Sequence, residues 1–348
     1  MIKTSLIGGG YWGSILLNNL CFIPDISIDY VFEQDKTLLK SLSKRFSFLK
    51  TTKFSTDYKE CFSDSDAVII ATPASTHFKV GKDCLKNDLH IFIEKPITDN
   101  AKSAHELMKL GESRNKKICV DHVFLYNAAV LRIKELINAG ELGDIFYIKS
   151  ERKGLGPRVR TDVNIIYDFA PHDISMILYW LRKNDDYVLP NRIWSTGKSY
   201  IDKQEDVSSI ILEFPNNIQA HIFTSWYAPQ KIRLTEIAGS KKMIIFDDVH
   251  SDTLMTIYDQ RFVKAPQPNG LGFKWITQIT GKKMPHLNYG DPLKNILSDF
   301  FECIKNNKKL KTDALQGLRV VQILDAANES LKKGGIPIDF SENYGIDE

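Results

Sequence analysis

The chain has 348 residues, 43% apolar and 26% charged, with a formal net charge of +3. That length is enough for two hydrophobic cores, and so small a charge gives no support to a nucleic-acid or membrane-surface partner. The five cysteines, Cys21, Cys61, Cys84, Cys119 and Cys303, are odd in number and far apart, which argues against a disulfide framework or a C-x-x-C metal or redox pair and fits a reducing cytoplasm.

The first element carries the strongest signal. An apolar run over residues 2–7 feeds into Gly8-Gly9-Gly10-Tyr11-Trp12-Gly13 and then an apolar-periodic helix, a G-x-G-x-x-G turn. In such a turn Gly8 permits the tight bend, Gly10 lets the backbone approach a pyrophosphate and Gly13 lets helix and strand pack closely, with the helix N-terminus facing the phosphates. A second strand over residues 26–32 ends at Glu33, at the expected distance of about 20 residues from the turn. The Glu33 carboxylate suits both ribose hydroxyls of NAD and would repel a 2′-phosphate, so NAD is preferred over NADP. Lys36 works against that preference, and Asp35 is an alternative ribose ligand.

Further along, short apolar runs alternate with helical patterns. A helix through Leu38, Leu39, Leu42 and Phe46 leads to a strand over 67–71, a helix over 76–85, a strand over 90–93, a helix over 101–112 and a strand over 118–120. This alternation predicts a doubly wound parallel sheet spanning residues 1–122. Residues 123–348 read differently. Residues 208–214 and 218–226 flank Pro215-Asn216-Asn217, and 235–238 and 243–246 flank Gly239-Ser240, two hairpins that predict a largely antiparallel sheet. Helices are expected over 130–137, 174–181, 293–304 and 314–331, the last stopped by Gly334, Gly335 and Pro337. No charged leader followed by an apolar stretch opens the chain, and no run approaches the roughly 18 apolar residues of a membrane span, so a soluble, unexported protein is expected.

In open α/β sheets ligands bind beyond the carboxyl ends of the strands, which selects three polar clusters. Thr72-Pro73-Ala74-Ser75-Thr76-His77 follows the strand over 67–71 and reads equally as a cofactor-lining segment or a helix cap. Glu94-Lys95-Pro96 follows the next strand. There the Lys95 ammonium can steady negative charge on a substrate oxygen, although a solvated lysine is the commoner state. The third cluster, Asp168-Phe169-Ala170-Pro171-His172-Asp173, precedes a helix, with Pro171 suited to its first turn. Asp168 can hold the His172 ring as a general base, or the group is a capping aspartate and a surface histidine, with Asp173 a first-turn charge.

With these clusters in this order the chain resembles the glucose-fructose oxidoreductase and inositol dehydrogenase (Gfo/Idh/MocA) family. The resemblance spans nearly the whole chain and includes Pro73 and His77, the Leu136-Ile137-Asn138-Ala139-Gly140-Glu141-Leu142-Gly143 stretch and Gly317-Leu318-Arg319-Val320-Val321. It implies a Rossmann domain with a nicotinamide cofactor and a carboxyl-terminal α/β domain whose open sheet joins subunits into a dimer or tetramer; no metal is expected. It makes Lys95 and His172 the catalytic pair, with Asp168 supporting the histidine. Aspartate is the commoner family residue at the position of Glu33. A narrower similarity, over residues 152–164, is to members from nucleotide-sugar and surface-polysaccharide pathways. It implies a nucleotide-linked sugar contacted by Arg158, Arg160, Asn164, Tyr126 and Asn127, where solvation, packing and capping are the plainer roles. The alternatives are an inositol or free-aldose dehydrogenase and, in another class, a dinucleotide-binding sensor without turnover.

Overall fold

The computed structural model describes the chain except for residues 156–161, 185, 202, 251–252, 269–271, 288–289, 341–343 and 345–348. Two compact units make it up, one of Met1–Tyr126 with Gly290–Asp325, the other of Asn127–Tyr289 with Ala326–Glu348.

In the first unit β1 (Ile2–Ile7), α1 (Tyr11–Leu20), β2 (Ile26–Phe32), α2 (Lys36–Arg45), β3 (Lys53–Ser55), β4 (Ala67–Ile70), α3 (Ala74–Lys86), β5 (His90–Ile93), α4 (Ala101–Ser113) and β6 (Ile118–Val120) follow in order. The six strands are parallel and ordered β3-β2-β1-β4-β5-β6. This is the doubly wound order in which the strand sequence reverses between β1 and β4, opening a crevice at their carboxyl ends. Strand β4 is buried throughout, and β1 and β5 over their last four and three residues, as expected for a parallel sheet covered on both faces. The three-residue β3 is too short to show a periodicity, and sequence patterning misses it.

In the second unit α5 (Ala128–Asn138), β7 (Ile145–Leu155) and α6 (Ile165–Leu181) precede β8 (Arg192–Lys198), β9 (Val207–Glu213), β10 (Gln219–Ala228), β11 (Ile232–Gly239), β12 (Lys242–Asp247), β13 (Met255–Pro266) and β14 (Phe273–Lys283). Helices α7 (Pro292–Lys305) and α8 (Ala314–Lys332) follow in the chain, with α7 and the part of α8 up to Asp325 belonging to the first unit, and β15 (Ile338–Asp339) comes last. The second sheet has nine strands, ordered β14-β13-β12-β11-β7-β10-β9-β8-β15, with β7 and β10 its one parallel pair among the described residues. Both expected hairpins are present. At the β9–β10 turn the Phe214 N–H bonds to Ile218 O, and within the three-residue loop so closed Asn216 and Asn217 take left-handed φ of +61° and +58°, a conformation asparagine tolerates better than most residues.

Helix α6 starts nine residues earlier than its apolar pattern indicates. Asn164 caps it by accepting the Tyr167 N–H, and Ile165, Ile166 and Tyr167 are buried in its first turn. Pro171 therefore lies inside the helix and not at its start, so it removes one internal hydrogen bond there. The helix packs on β7, β9 and β10. Among the described residues no helix is long and apolar enough to cross a membrane.

Candidate active site

The glycine turn after β1 has the geometry its spacing predicts. Gly8 takes φ +98°, and a Cβ there would stand 2.5 Å from the Ala71 carbonyl oxygen. A Cβ on Gly13 would come within 1.9 Å of the Gly8 oxygen, so α1 can approach β1 only with glycine at this position. Gly10 differs, since a Cβ there would meet nothing within 4 Å. It is also the N-cap residue of α1, which has no side-chain cap and no acidic residue in its first turn. Open space in front of uncapped backbone N–H groups at a positive helix end fits a pyrophosphate. Tyr11 and Trp12 begin the helix with exposed rings set edge to face.

At the end of β2 the Glu33 carboxylate accepts the Gly9 N–H through Oε2 at 2.8 Å and the Asp35 N–H through Oε1 at 3.0 Å, placing it against the glycine turn. Asp35 caps α2 by accepting the Thr37 and Leu38 N–H groups. Both of those N–H groups fall on Asp35 Oδ1, so Asp35 caps the helix while Glu33 faces the glycine turn.

After β4, Thr72 Oγ1 accepts the Thr76 hydroxyl, and Pro73 is the N-cap residue of α3. His77, expected to touch the cofactor, is instead 1% exposed and lies between two backbone carbonyls, with Nδ1 2.8 Å from Pro96 O and Nε2 2.8 Å from Thr72 O. Both ring nitrogens are engaged inside the unit, so the residue ties the β4 loop to the β5 turn and has no hydrogen-bonding atom left for a ligand.

The polar groups after β5 and β6 form one cluster. Glu94 and Asp121 are 8% and 4% exposed, and the Asp121 N–H donates to Ile93 O at 2.9 Å, which sets it beside the Glu94-Lys95-Pro96 turn. The Lys95–Pro96 bond is cis. Burial, then the neighbouring Glu94 charge, raise the Asp121 carboxyl well above its ordinary range, and Lys95 acts in the opposite sense. Beside it His122 is 1% exposed. Burial, then the Lys95 charge, push its imidazole down to about 3, so it is neutral. Neither Asp121 nor His122 stands out in the sequence pattern, though both directly follow a strand, the rule that selects the other clusters. Their place next to an expected domain boundary hides them.

In the second unit Asp168 and His172 are four residues apart on α6 and so share a helix face. Asp168 is 4% exposed, and its Oδ2 accepts the Trp226 indole N–H from β10 at 2.9 Å. Asp173 is not a first-turn charge. It is buried and held by Arg152 of β7, with Nε on Oδ2 at 2.7 Å and Nη2 on Oδ1 at 3.1 Å, and Ser150 donates to Oδ1. This pair pins the helix that carries His172 to the sheet.

The expected sugar contacts divide. Arg158 and Arg160 lie outside the described residues. Asn164 caps α6 and donates to Glu205 and Asn328, so its amide is fully engaged in structure. Asn127 caps α5, and Tyr126 is buried with its hydroxyl on Asp299 at 2.5 Å and Lys311 over its ring. Those three side chains serve packing and capping. Among the described residues no group of three or more His, Cys, Asp and Glu is arranged to hold a metal ion.

Comparison with known proteins gives two family matches. Residues 2–122 match the oxidoreductase family, NAD-binding Rossmann fold of GFO_IDH_MocA, and residues 130–245 match the GFO/IDH/MocA C-terminal domain. An uncharacterized oxidoreductase of Bacillus subtilis, YrbE, is 23% identical over 99% of this chain and 98% of its own. The UDP-N-acetylglucosamine 3-dehydrogenase of Acidithiobacillus ferrooxidans is 22% identical over 74% of this chain and 76% of its own. Its solved structure superposes with a TM-score of 0.79 at 19% identity, over 95% of this chain and 98% of that one. The myo-inositol 2-dehydrogenase of Thermotoga maritima is 22% identical over 74% of this chain and 79% of its own.

Proposed function

Because the chain belongs to the GFO/IDH/MocA oxidoreductase family and carries its NAD-binding Rossmann domain, we propose that it interconverts a secondary alcohol and a ketone on a nucleotide-linked sugar. The observation that carries this reading is Lys95. It stands at the carboxyl edge of the sheet whose β1 turn fits a pyrophosphate, in the buried polar cluster of Glu94, Asp121 and His122. Gly8, Gly10, Gly13 and Glu33 would hold the dinucleotide, with Thr72 beside them. NAD, when bound, supplies the hydride acceptor or donor.

The chain's own residues then have to manage one proton and one developing charge. Oxidation needs the hydroxyl proton removed as the carbon loses hydride. His172 is assigned that proton, and Asp168, held by Trp226, is assigned to orient it from one turn earlier on the same helix face. Lys95 donates to the substrate oxygen and stabilises the alkoxide as it forms. A lysine deprived of solvent can also lose its own proton, so the two bases can exchange roles. Replacing Lys95 by Ala should lower turnover about 100-fold or more while NAD affinity changes little. Unchanged turnover would remove Lys95 from the chemistry.

The nucleotide-linked substrate is supported by the UDP-N-acetylglucosamine 3-dehydrogenase relative and by the similarity over residues 152–164. The inositol dehydrogenase relative, at equal identity, supports a free polyol as the second reading. UDP should compete with substrate in the first case and be without effect in the second. Mass analysis of small molecules released on denaturing the purified protein identifies cofactor and substrate class together.

A self-associating state through the second sheet belongs to the same proposal. Phe273, Trp275 and Ile279 alternate along the edge strand β14, and Phe262 pairs opposite Thr277, so four exposed apolar side chains share one face. Sedimentation of the wild type against Trp275→Glu tests it. A smaller species in the variant is expected, and an identical one would overturn it.

A further inference from the structure

The sheet of the second unit gathers positive charge beside the helix that carries His172. Arg152 of β7 and Arg233 of β11 are directly paired across the two strands, so their side chains leave the sheet on the same face. That is the face α6 covers, because Arg152 ends in its buried ion pair with Asp173, the residue after His172. Arg233 is half-buried, and its Nη1 donates to Asp248 Oδ2 at 2.9 Å, which fixes the guanidinium while leaving it within reach of solvent. Lys231, two residues earlier, is exposed and makes no hydrogen bond or ion pair with a described residue. The Arg233 charge, then partial burial, hold its ammonium below the ordinary range, with Arg152 acting in the same sense and Asp248 against them. Three cations therefore share two carboxylates, and one of those, Asp173, is committed to Arg152 in the interior. Cations crowded by a fold repel one another, and an anion placed among them relieves that repulsion.

We propose that Lys231 and Arg233 form an anion subsite that takes the diphosphate of a nucleotide-linked substrate. The fixed guanidinium offers a planar fork and the lysine a movable point charge, a pair suited to two adjacent phosphate groups. Arg152 adds to the local positive field but is buried and meets no ligand. The subsite lies on the α6 face of the sheet, next in register to the arginine that anchors the residue after His172, so a sugar linked to the diphosphate is directed toward the histidine. The inference rests on the reading of the substrate as a nucleotide-linked sugar.

Titration calorimetry on the whole chain, saturated with NAD so that the pyrophosphate site of the first unit is filled, compares UDP, UMP and orthophosphate. UDP should bind the wild type about tenfold more tightly than UMP, and orthophosphate more weakly than either. Lys231→Ala should weaken UDP by about tenfold, the loss of one charge-assisted contact, and raise the substrate KM by a similar factor, while Lys231→Arg should bring UDP affinity back to within about threefold of the wild type. A Lys231→Ala protein that binds NAD normally and UDP as tightly as the wild type overturns the proposal. So does orthophosphate binding as tight as that of UDP and equally weakened by Lys231→Ala, which would mark a site for any small anion. A wild type that binds no UDP removes the nucleotide-linked substrate itself. That outcome is distinct from a wild type and a variant that bind UDP alike, in which only the subsite fails.

Discussion

Trp226 of β10 donates its indole N–H to Asp168 of α6 at 2.9 Å, giving a buried carboxylate a fixed donor and a fixed direction. Trp226→Phe keeps most of the apolar ring and removes only the donor. Hydrogen bonds to charged groups are worth roughly 1.5–3 kcal/mol, so about a tenfold or greater loss of turnover and a lower melting temperature are expected. Stability that falls while turnover is unchanged would show that Asp168 serves the fold and not the histidine.

The glycines of the turn make opposite predictions. Gly13→Ala forces a Cβ to 1.9 Å from a backbone oxygen, so the first unit has to shift and should lose roughly 1–3 kcal/mol of stability. Gly10→Ala meets open space inside the protein, so its melting temperature should match the wild type. Its methyl group would occupy the place of the phosphates, weakening NAD binding by about tenfold or more. Calorimetry on both variants separates the two effects. NAD affinity unaltered in Gly10→Ala would displace the pyrophosphate from this turn.

Glu33 lies against the Gly9 amide, while Asp35 caps α2. Glu33→Ser removes the carboxylate and its repulsion of a 2′-phosphate together, so the ratio of kcat/KM for NAD over NADP should fall by about an order of magnitude. Asp35→Ser keeps a capping oxygen and should leave that ratio alone. The reverse pattern would transfer the ribose contact to Asp35.

Stability should depend on pH through His90. Burial, then Lys116 and Lys117, lower its imidazole from 6.5 to about 4, and its Nδ1 accepts the Lys117 N–H. Below pH 6.5 the unfolded chain binds a proton that the folded one refuses. The contribution is therefore intact above 6.5 and declines as pH falls toward 4. His90→Gln should flatten the melting-temperature profile across that window. An equally steep profile in the variant would assign the acid sensitivity elsewhere.

Local patterning carried much of this molecule. Glycine spacing sets the β1 turn because backbone geometry and close approach are properties of a few consecutive residues, and the same holds for the paired asparagines between β9 and β10. Apolar periodicity located most helices and strands, since burial on one side leaves a regular trace in the chain. Strand ends pointed to Glu94, Lys95 and Glu33, because a parallel sheet puts all its carboxyl ends on one edge. What patterning could not supply depends on partners distant in the chain. Phe300 packs on Phe92, and the Val120 N–H bonds to Thr312 O, so a late segment completes the first unit. The Arg152–Asp173 pair, the Trp226–Asp168 bond and the His77 bridge turn ordinary residues into supports. The buried cluster of Glu94 and Asp121 forms only because folding removes both from water at the ends of neighbouring strands, and neither burial nor adjacency across strands is written in the order of residues.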